Sequence, residues 1–123
     1  MPDLTLGPIG QLAVNVRDLP RAVAFYRDVL GLPFLFEAGP MAFFDCAGVR
    51  LLLSAADEGA GTSIVYYRVD DLEGAHARLL QRGVTIREAP HLVARMPDHE
   101  LWMLFFEDSE GNVAALMSER GKA

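Results

Sequence analysis

Val16-Arg17-Asp18-Leu19 and Val69-Asp70-Asp71-Leu72 are two nearly identical stretches, offset by 69 − 16 = 53 residues. In each, an alternating apolar run ends at the valine, and apolar residues at helical spacing follow the aspartate. Aspartate is a favoured N-cap because its side chain accepts a hydrogen bond from the first helical turn. Each stretch therefore predicts a strand followed by a helix, and the repetition predicts two copies of one module.

The first copy is predicted to have the order β-α-β-β-β. Residues 9–16 alternate as a half-buried strand does, and the helical pattern that follows Asp18 stops at Gly31. Three short β-prone runs come next, at residues 33–37, 41–45 and 49–54. The small and polar residues 55–61 then predict a linker.

The second copy repeats this order with one insertion. A strand is predicted over 63–69, a helix from the Asp71 cap to Gly83, and strands over 85–95, 101–106 and 113–117. Gly48 and Gly111 are offset by 63 residues, ten more than the module starts, and the extra residues fall around 90–100. One domain, residues 1–123, is therefore expected, with modules at about 8–54 and 62–118.

The composition of the chain does not favour several classes of function. A net charge of −6 does not favour binding to a phosphate backbone, and no apolar run approaches the length of a membrane span. Cys46 is the single cysteine, so an internal disulfide cannot form. We expect a cytoplasmic protein with no nucleic-acid or membrane partner.

The module order resembles a known family. Together with the strings VNVRDLPRAVAFYRDVLGL (14–32) and FFEDSEGNVAALMSE (105–119), it is similar to the vicinal oxygen chelate superfamily of glyoxalases, extradiol dioxygenases and bleomycin-resistance proteins. The resemblance implies an α+β fold in which two βαβββ modules form an incomplete barrel of mixed sheet with flanking helices. It also implies a homodimer and a divalent metal on the inner face of the barrel.

The residues at the family's metal-binding positions do not match that expectation. The resemblance places these positions at Gln11, Leu52, Ile64 and Ala115. A divalent ion needs several oxygen, nitrogen or sulfur donors, and only the glutamine supplies one. No metal cofactor is therefore expected.

Strand alternation predicts what lines the inner face instead. The expected residues are Gln11, Ala13, Asn15, Arg50, Leu52, Ser54, Ile64, Tyr66, Arg68, Val113, Ala115 and Met117. Apolar walls with a few polar groups are typical of a small-molecule pocket, although the aliphatic members could also fill a collapsed core. Arg50 and Arg68 suit either an anionic group of a ligand or a salt bridge at the rim.

The insertion carries a second group of candidates: His91, Arg95, His99, Glu100 and Trp102. A hairpin at this place suits a lid or a ligand-contacting loop. A histidine pair with a glutamate suits a displaced metal site or acid–base chemistry. Hairpin hydrogen bonding or a subunit interface accounts for the same residues.

Three functions remain open from the sequence. The first is a metal-free protein that sequesters an apolar or aromatic small molecule, as resistance proteins do. The second is a glyoxalase-like lyase or isomerase, or a dioxygenase, that uses His91, His99 and Glu100. The third is an accessory subunit that serves dimerisation, and the fold does not choose among them.

Overall fold

The computed structural model describes Leu4 and residues 8–56 and 63–121. The chain divides into two compact units, residues 1–61 and 62–123, called here the first and second unit. The first holds β1 (Gln11–Val16), α1 (Leu19–Ala24), a π-helical turn (Phe25–Val29), β2 (Phe34–Ala38), β3 (Met41–Cys46) and β4 (Val49–Ala55). The second holds β5 (Tyr66–Arg68), α2 (Leu72–Gln81), β6 (Ile86–Arg95), β7 (His99–Glu107) and β8 (Val113–Gly121).

Each unit builds a four-stranded mixed sheet with the same topology. The strand order is β1-β4-β3-β2 in the first unit and β5-β8-β7-β6 in the second. The first and last strands of each unit pair in parallel, and the remaining pairs are antiparallel. The predicted α+β class, with two βαβββ modules, is confirmed.

The aspartates of the repeated motif begin both helices. Asp18 accepts a hydrogen bond from the backbone N–H of Arg21, and Asp71 accepts one from Gly74, each at 3.0 Å. The first helix departs from the prediction because its second half widens into a π-helical turn, with Leu30 N–H bonded to Phe25 O at 3.0 Å.

The core of each unit lies between its helix and one face of its sheet. In the first unit Val14, Val16, Phe44, Leu51 and Leu53 are buried together with Ala22, Val23 and Tyr26 of the helical segment. In the second unit Leu104, Phe106, Ala114 and Leu116 are buried together with Leu72 and Leu79 of α2. Side chains along a strand point alternately to the two faces of the sheet, so the strand residues between these buried ones lie on the opposite face. We call this second face of each sheet the far face.

The ten extra residues lengthen a hairpin. β6 has ten residues and β7 has nine, against five and six in β2 and β3. The additional length of β6 is accommodated by three register shifts against β7. Ala55, the first residue of the predicted linker, is the last residue of β4. The backbone N–H of Ala56 donates a hydrogen bond to Val16 O at 2.8 Å. Residues 57–61 lie outside the described residues.

In the part of the chain that the structure describes, no helix is long and apolar enough to cross a membrane.

Candidate functional site

The far face of the first unit carries an apolar row between two polar ones. Strand register places Ala13 beside Leu52, Leu52 beside Phe43, and Phe43 beside Phe36. The rings of Phe36 and Phe43 are stacked, with centroids 4.6 Å apart and planes inclined by 23°. On one side, Asn15 lies beside Ser54. This row is aromatic and aliphatic, with Phe36 exposed and Phe43 and Leu52 buried.

The polar row on the other side is formed by Gln11, Arg50 and Asp45. Gln11 and Arg50 are register partners on β1 and β4, and Asp45 is the partner of Arg50 on β3. The guanidinium carbon of Arg50 lies 5.6 Å from the centroid of the Phe43 ring, a cation–π distance. Asp45 accepts a hydrogen bond from the backbone of Gly48 at 3.2 Å. The cationic group therefore lies beside the apolar row.

The family positions for a metal are chemically unsuited to one. Leu52 is 8% exposed and Ala115 is fully buried, while Ile64 is 43% exposed. None of these side chains has a donor atom, so Gln11 is the one potential ligand among the four positions. Among the described residues, no three His, Cys, Asp or Glu side chains lie close enough to hold a metal ion. The residues at the family positions do not fit a divalent metal.

An aromatic row crosses the far face of the second unit. Tyr66 on β5 and Phe105 on β7 both lie beside Ala115 of the intervening strand. The Tyr66 and Phe105 rings meet edge to face at 6.0 Å, and the His91 ring stacks on Phe105 at 6.2 Å with an inclination of 27°. Because Ala115 is small, the two outer rings can meet above it.

An open cavity of about 290 Å³ lies next to this row, lined by Arg87, Glu88, Phe105 and Val113. Arg87 is paired with Glu107 at 3.3 Å. The Nε2 atom of His91 is 3.8 Å from the Glu88 carboxylate. The Nδ1 atom of His91 lies 2.8 Å from Ala89 O. A carbonyl oxygen only accepts, so Nδ1 donates and, in the neutral ring, Nε2 carries the lone pair.

A chain of charged groups lies at the other end of the same face. Asp98 Oδ1 is 2.7 Å from Nδ1 of His99, whose Nε2 is 3.7 Å from Glu119. The second oxygen of Glu119 pairs with Arg68 at 3.1 Å. The hydrogen bond with His99 lowers the pKa of Asp98 below its ordinary value. Arg68 is thus neutralised by Glu119. Its register partner on β8 is Met117, which is apolar and cannot pair with it.

Trp102, Glu100 and Arg95 form a separate group. Trp102 and Glu100 alternate with the far-face residues of β7 and so lie on the helix side of the sheet. The indole N–H of Trp102 donates to Glu100 at 3.1 Å, and Glu100 pairs with Arg95 at 3.5 Å. The fold thereby separates these three from the aromatic row.

The two histidines of the hairpin are not neighbours. His91 is the register partner of Met103, four residues along β7 from His99, a separation of about 13 Å. Glu100 points to the other face, so the predicted group of His91, His99 and Glu100 does not assemble. The partners of His99 are instead Asp98 and Glu119.

Several residues that help form these surfaces were missing from the sequence prediction, among them Phe43, Glu88 and Phe105. Phe105 could have been identified from the sequence. The turn at 108–112 fixes the register of β7 against β8, and with that register Phe105 lies on the same face as Ala115. Glu88 could not, because the register shifts of β6 break the alternation.

The sequence of this chain is similar to those of known proteins. The model of the Glyoxalase/Bleomycin resistance protein/Dioxygenase superfamily matches residues 8–116. Metallothiol transferase FosB of Lysinibacillus sphaericus (strain C3-41) is 24% identical over 117 residues, which cover 89% of this chain and 80% of that protein.

Two solved structures share the fold. Lactoylglutathione lyase from Agrobacterium tumefaciens superposes with a TM-score of 0.73 at 24% identity, covering 92% of this chain and 94% of the other. TnmS3, an antibiotic binding protein from Streptomyces sp. CB03234, has a TM-score of 0.73 at 23% identity, with 95% and 99% covered.

Proposed function

Since this chain belongs to the Glyoxalase/Bleomycin resistance protein/Dioxygenase superfamily, we propose that it binds a small molecule without using a divalent metal. The ligand is an apolar or aromatic compound held against the far face of a sheet, and the role is sequestration of a resistance type. The observation that carries the proposal is the replacement of donor atoms by aliphatic side chains at Leu52, Ile64 and Ala115.

The chemistry of these side chains supports the metal-free part of the proposal. A divalent ion leaves water only when several donors replace its hydration shell, and one neutral amide from Gln11 does not. Leu52 and Ala115 are instead buried apolar side chains, which pack against their neighbours and offer no chelating group.

The aromatic row supports the ligand class. Phe105 contacts two other rings, Tyr66 and His91, and also lines the cavity of about 290 Å³. Aromatic surfaces favour planar partners because stacked and edge-to-face contacts contribute beyond the area that they bury. The fold shared with the antibiotic binding protein TnmS3 is consistent with such a role.

A thermal-shift screen with planar aromatic compounds, run in buffer that contains EDTA, tests the proposal. A ligand that binds the native state alone raises the unfolding temperature in proportion to its saturation. We expect at least one compound to stabilise the protein with no metal present. If no aromatic compound raises the melting temperature, the proposal fails.

Variants then locate the binding surface. Phe105→Leu is expected to weaken binding of the best compound about threefold to tenfold, because one stacking contact is removed. Leu80→Ala is the matched control, since Leu80 is an apolar side chain on α2 that is 55% exposed. Equal affinities in the two variants would place the ligand elsewhere.

A second candidate is an enzyme, either a glyoxalase-like lyase or isomerase or a dioxygenase. The observation that favours it is the contact of Asp98 with His99, which holds the imidazole by its Nδ1 atom and leaves Nε2 directed at Glu119. An imidazole oriented in this way suits acid–base catalysis. The curated relative is a metallothiol transferase, so metal-dependent chemistry is the form to test first.

Metal analysis of freshly purified protein separates the two candidates. The binding proposal predicts less than stoichiometric Zn, Fe, Mn or Ni. A stoichiometric metal that is lost in His99→Ala but retained in His91→Ala would refute it and favour an enzyme with its metal at the His99 end of the sheet.

We also propose that the protein is a cytoplasmic homodimer, as the family resemblance implies. Phe34, Leu35 and Phe36 on the edge strand β2 are 37%, 47% and 45% exposed, which is consistent with an interface in that region. Size-exclusion chromatography with light scattering tests the oligomeric state, and a mass of one chain would exclude the dimer.

A further inference from the structure

The far faces of the two units differ in the pairing of their arginines. Arg68 in the second unit is neutralised by Glu119 at 3.1 Å. Arg50 in the first unit is exposed and forms no ion pair with any described residue. Asp45 faces it on the neighbouring strand, but that carboxylate bonds to the turn at Gly48.

The surroundings of Arg50 favour recognition of an anion. Its register partner is Gln11, whose amide N–H₂ can donate two hydrogen bonds. Its guanidinium lies 5.6 Å from the Phe43 ring, so the charge is held beside the apolar row. A planar guanidinium offers paired donors that match the two oxygens of a carboxylate or a phosphonate.

Gln11 is also the one family metal position that retains a donor, and Arg50 lies directly beside it. We propose that Arg50 supplies the fixed positive charge that this face would otherwise lack, and that the Arg50–Gln11 pair binds the oxyanion of the ligand. The ligand class is an aromatic or apolar body that carries a carboxylate, phosphonate or related oxyanion. The apolar row beside this pair contacts the body through its exposed members, Ala13 and Phe36. This inference rests on the proposed function, since it specifies the ligand that the far face of the first unit would hold.

The net charge of −6 does not prevent this. At physiological ionic strength, charges farther away than about 8 Å are largely screened, so local groups decide whether an anion binds. The nearest opposing charge is Asp45, and removing it is a test in itself.

Calorimetric titration with 1-naphthoate and its neutral isostere 1-naphthamide, in buffer containing EDTA, tests the proposal. The wild-type protein is expected to bind the carboxylate about tenfold more tightly than the amide. Arg50→Gln should remove this preference, because it weakens the binding of naphthoate about tenfold more than that of naphthamide. Arg50→Lys should retain part of it, because the charge stays but the paired donors are lost.

Arg68→Gln is the matched control, because it removes a far-face arginine that is already neutralised. It should keep the preference for naphthoate. Asp45→Asn should raise the affinity for naphthoate about twofold to fivefold, because a negative charge beside Arg50 disappears while a turn acceptor remains.

The outcomes separate the inference from the function beneath it. Equal binding of both probes, or a preference that survives Arg50→Gln and disappears in Arg68→Gln, overturns the anion site and leaves the aromatic-binding function standing. A preference for naphthoate that arises only after a divalent metal is added also overturns it. If neither probe nor any other planar aromatic compound binds, both the inference and the proposed function fail.

Discussion

The guanidinium of Arg120 lies over the indole of Trp102, with its central carbon 4.2 Å from the ring centroid. The same guanidinium pairs with Glu73 of α2. Arg120 therefore joins three elements of the second unit, β8, β7 and α2. The contact gives Trp102 a structural partner on the helix side of the sheet, away from the cavity on the far face.

Removing this contact should destabilise the protein. Arg120→Met deletes a cation–π contact and an ion pair, so the free energy of unfolding is expected to fall by about 1 kcal/mol. Urea titration followed by fluorescence measures this, since Trp102 is the single tryptophan. Arg87→Met, which removes only the exposed pair with Glu107, should cost about 0.5 kcal/mol or less. Equal losses would mean that the stack contributes nothing.

The Glu73–Arg120 pair should also make stability depend on pH. The hydrogen bond from Arg120 lowers the pKa of Glu73 from its ordinary value of 4.5. Because the folded state favours the ionised carboxylate, its contribution is complete above the ordinary pKa. It disappears as the pH falls through the lowered one.

At pH 7, Glu73→Gln should therefore lower the free energy of unfolding by about 0.5 kcal/mol, a small value because the pair is exposed. The difference from the wild type should vanish at low pH, near the lower end of the carboxylate range. Urea titrations at several pH values measure this, and a difference that persists in acid would contradict the prediction.

The turn between β7 and β8 depends on Asp108, which is only 6% exposed. Its carboxylate accepts hydrogen bonds from the backbone N–H groups of Glu110 and Asn112, each at 2.8 Å, and from the Asn112 side chain at 3.0 Å. Asp108→Ala should lower the free energy of unfolding by about 2 kcal/mol, because buried donors lose a charged acceptor.

The repeat supplies the control for this prediction. Asp45 is the equivalent residue in the first unit, 63 positions earlier, and its carboxylate accepts one hydrogen bond, from Gly48. Asp45→Ala should cost about 1 kcal/mol or less. A larger loss at Asp45 than at Asp108 in chemical denaturation would refute the assignment.

The turn between β3 and β4 offers a stabilising substitution. Ala47 has a φ of 51° and is followed by Gly48 with a φ of 94°, a pair of left-handed residues that favours Asn-Gly. Ala47→Asn should raise the free energy of unfolding by about 0.5 to 1 kcal/mol, since asparagine tolerates this conformation better than alanine. Gly48→Ala should lower it. A thermal melt of both variants checks the two signs.

Much of the fold could be predicted from local pattern. The caps Asp18 and Asp71, the order of helix and strands along each unit and the added residues of the second hairpin all follow from spacing and turn chemistry. The π-helical turn at 25–29 and the register shifts of β6 could not be predicted, because both are departures from the regular periods on which such reading depends.

The sequence by itself determined the duplicated βαβββ plan and the aliphatic side chains at positions 52, 64 and 115. These are properties of residue type and spacing, and they do not depend on which side chains later meet. Only the tertiary structure decided that Arg68 is neutralised by Glu119 while Arg50 forms no ion pair with any residue that the structure describes, and that His91 stacks on Phe105 instead of meeting His99. The physical reason is that strand register fixes cross-strand neighbours, and register depends on bulges and turns distributed over the whole sheet.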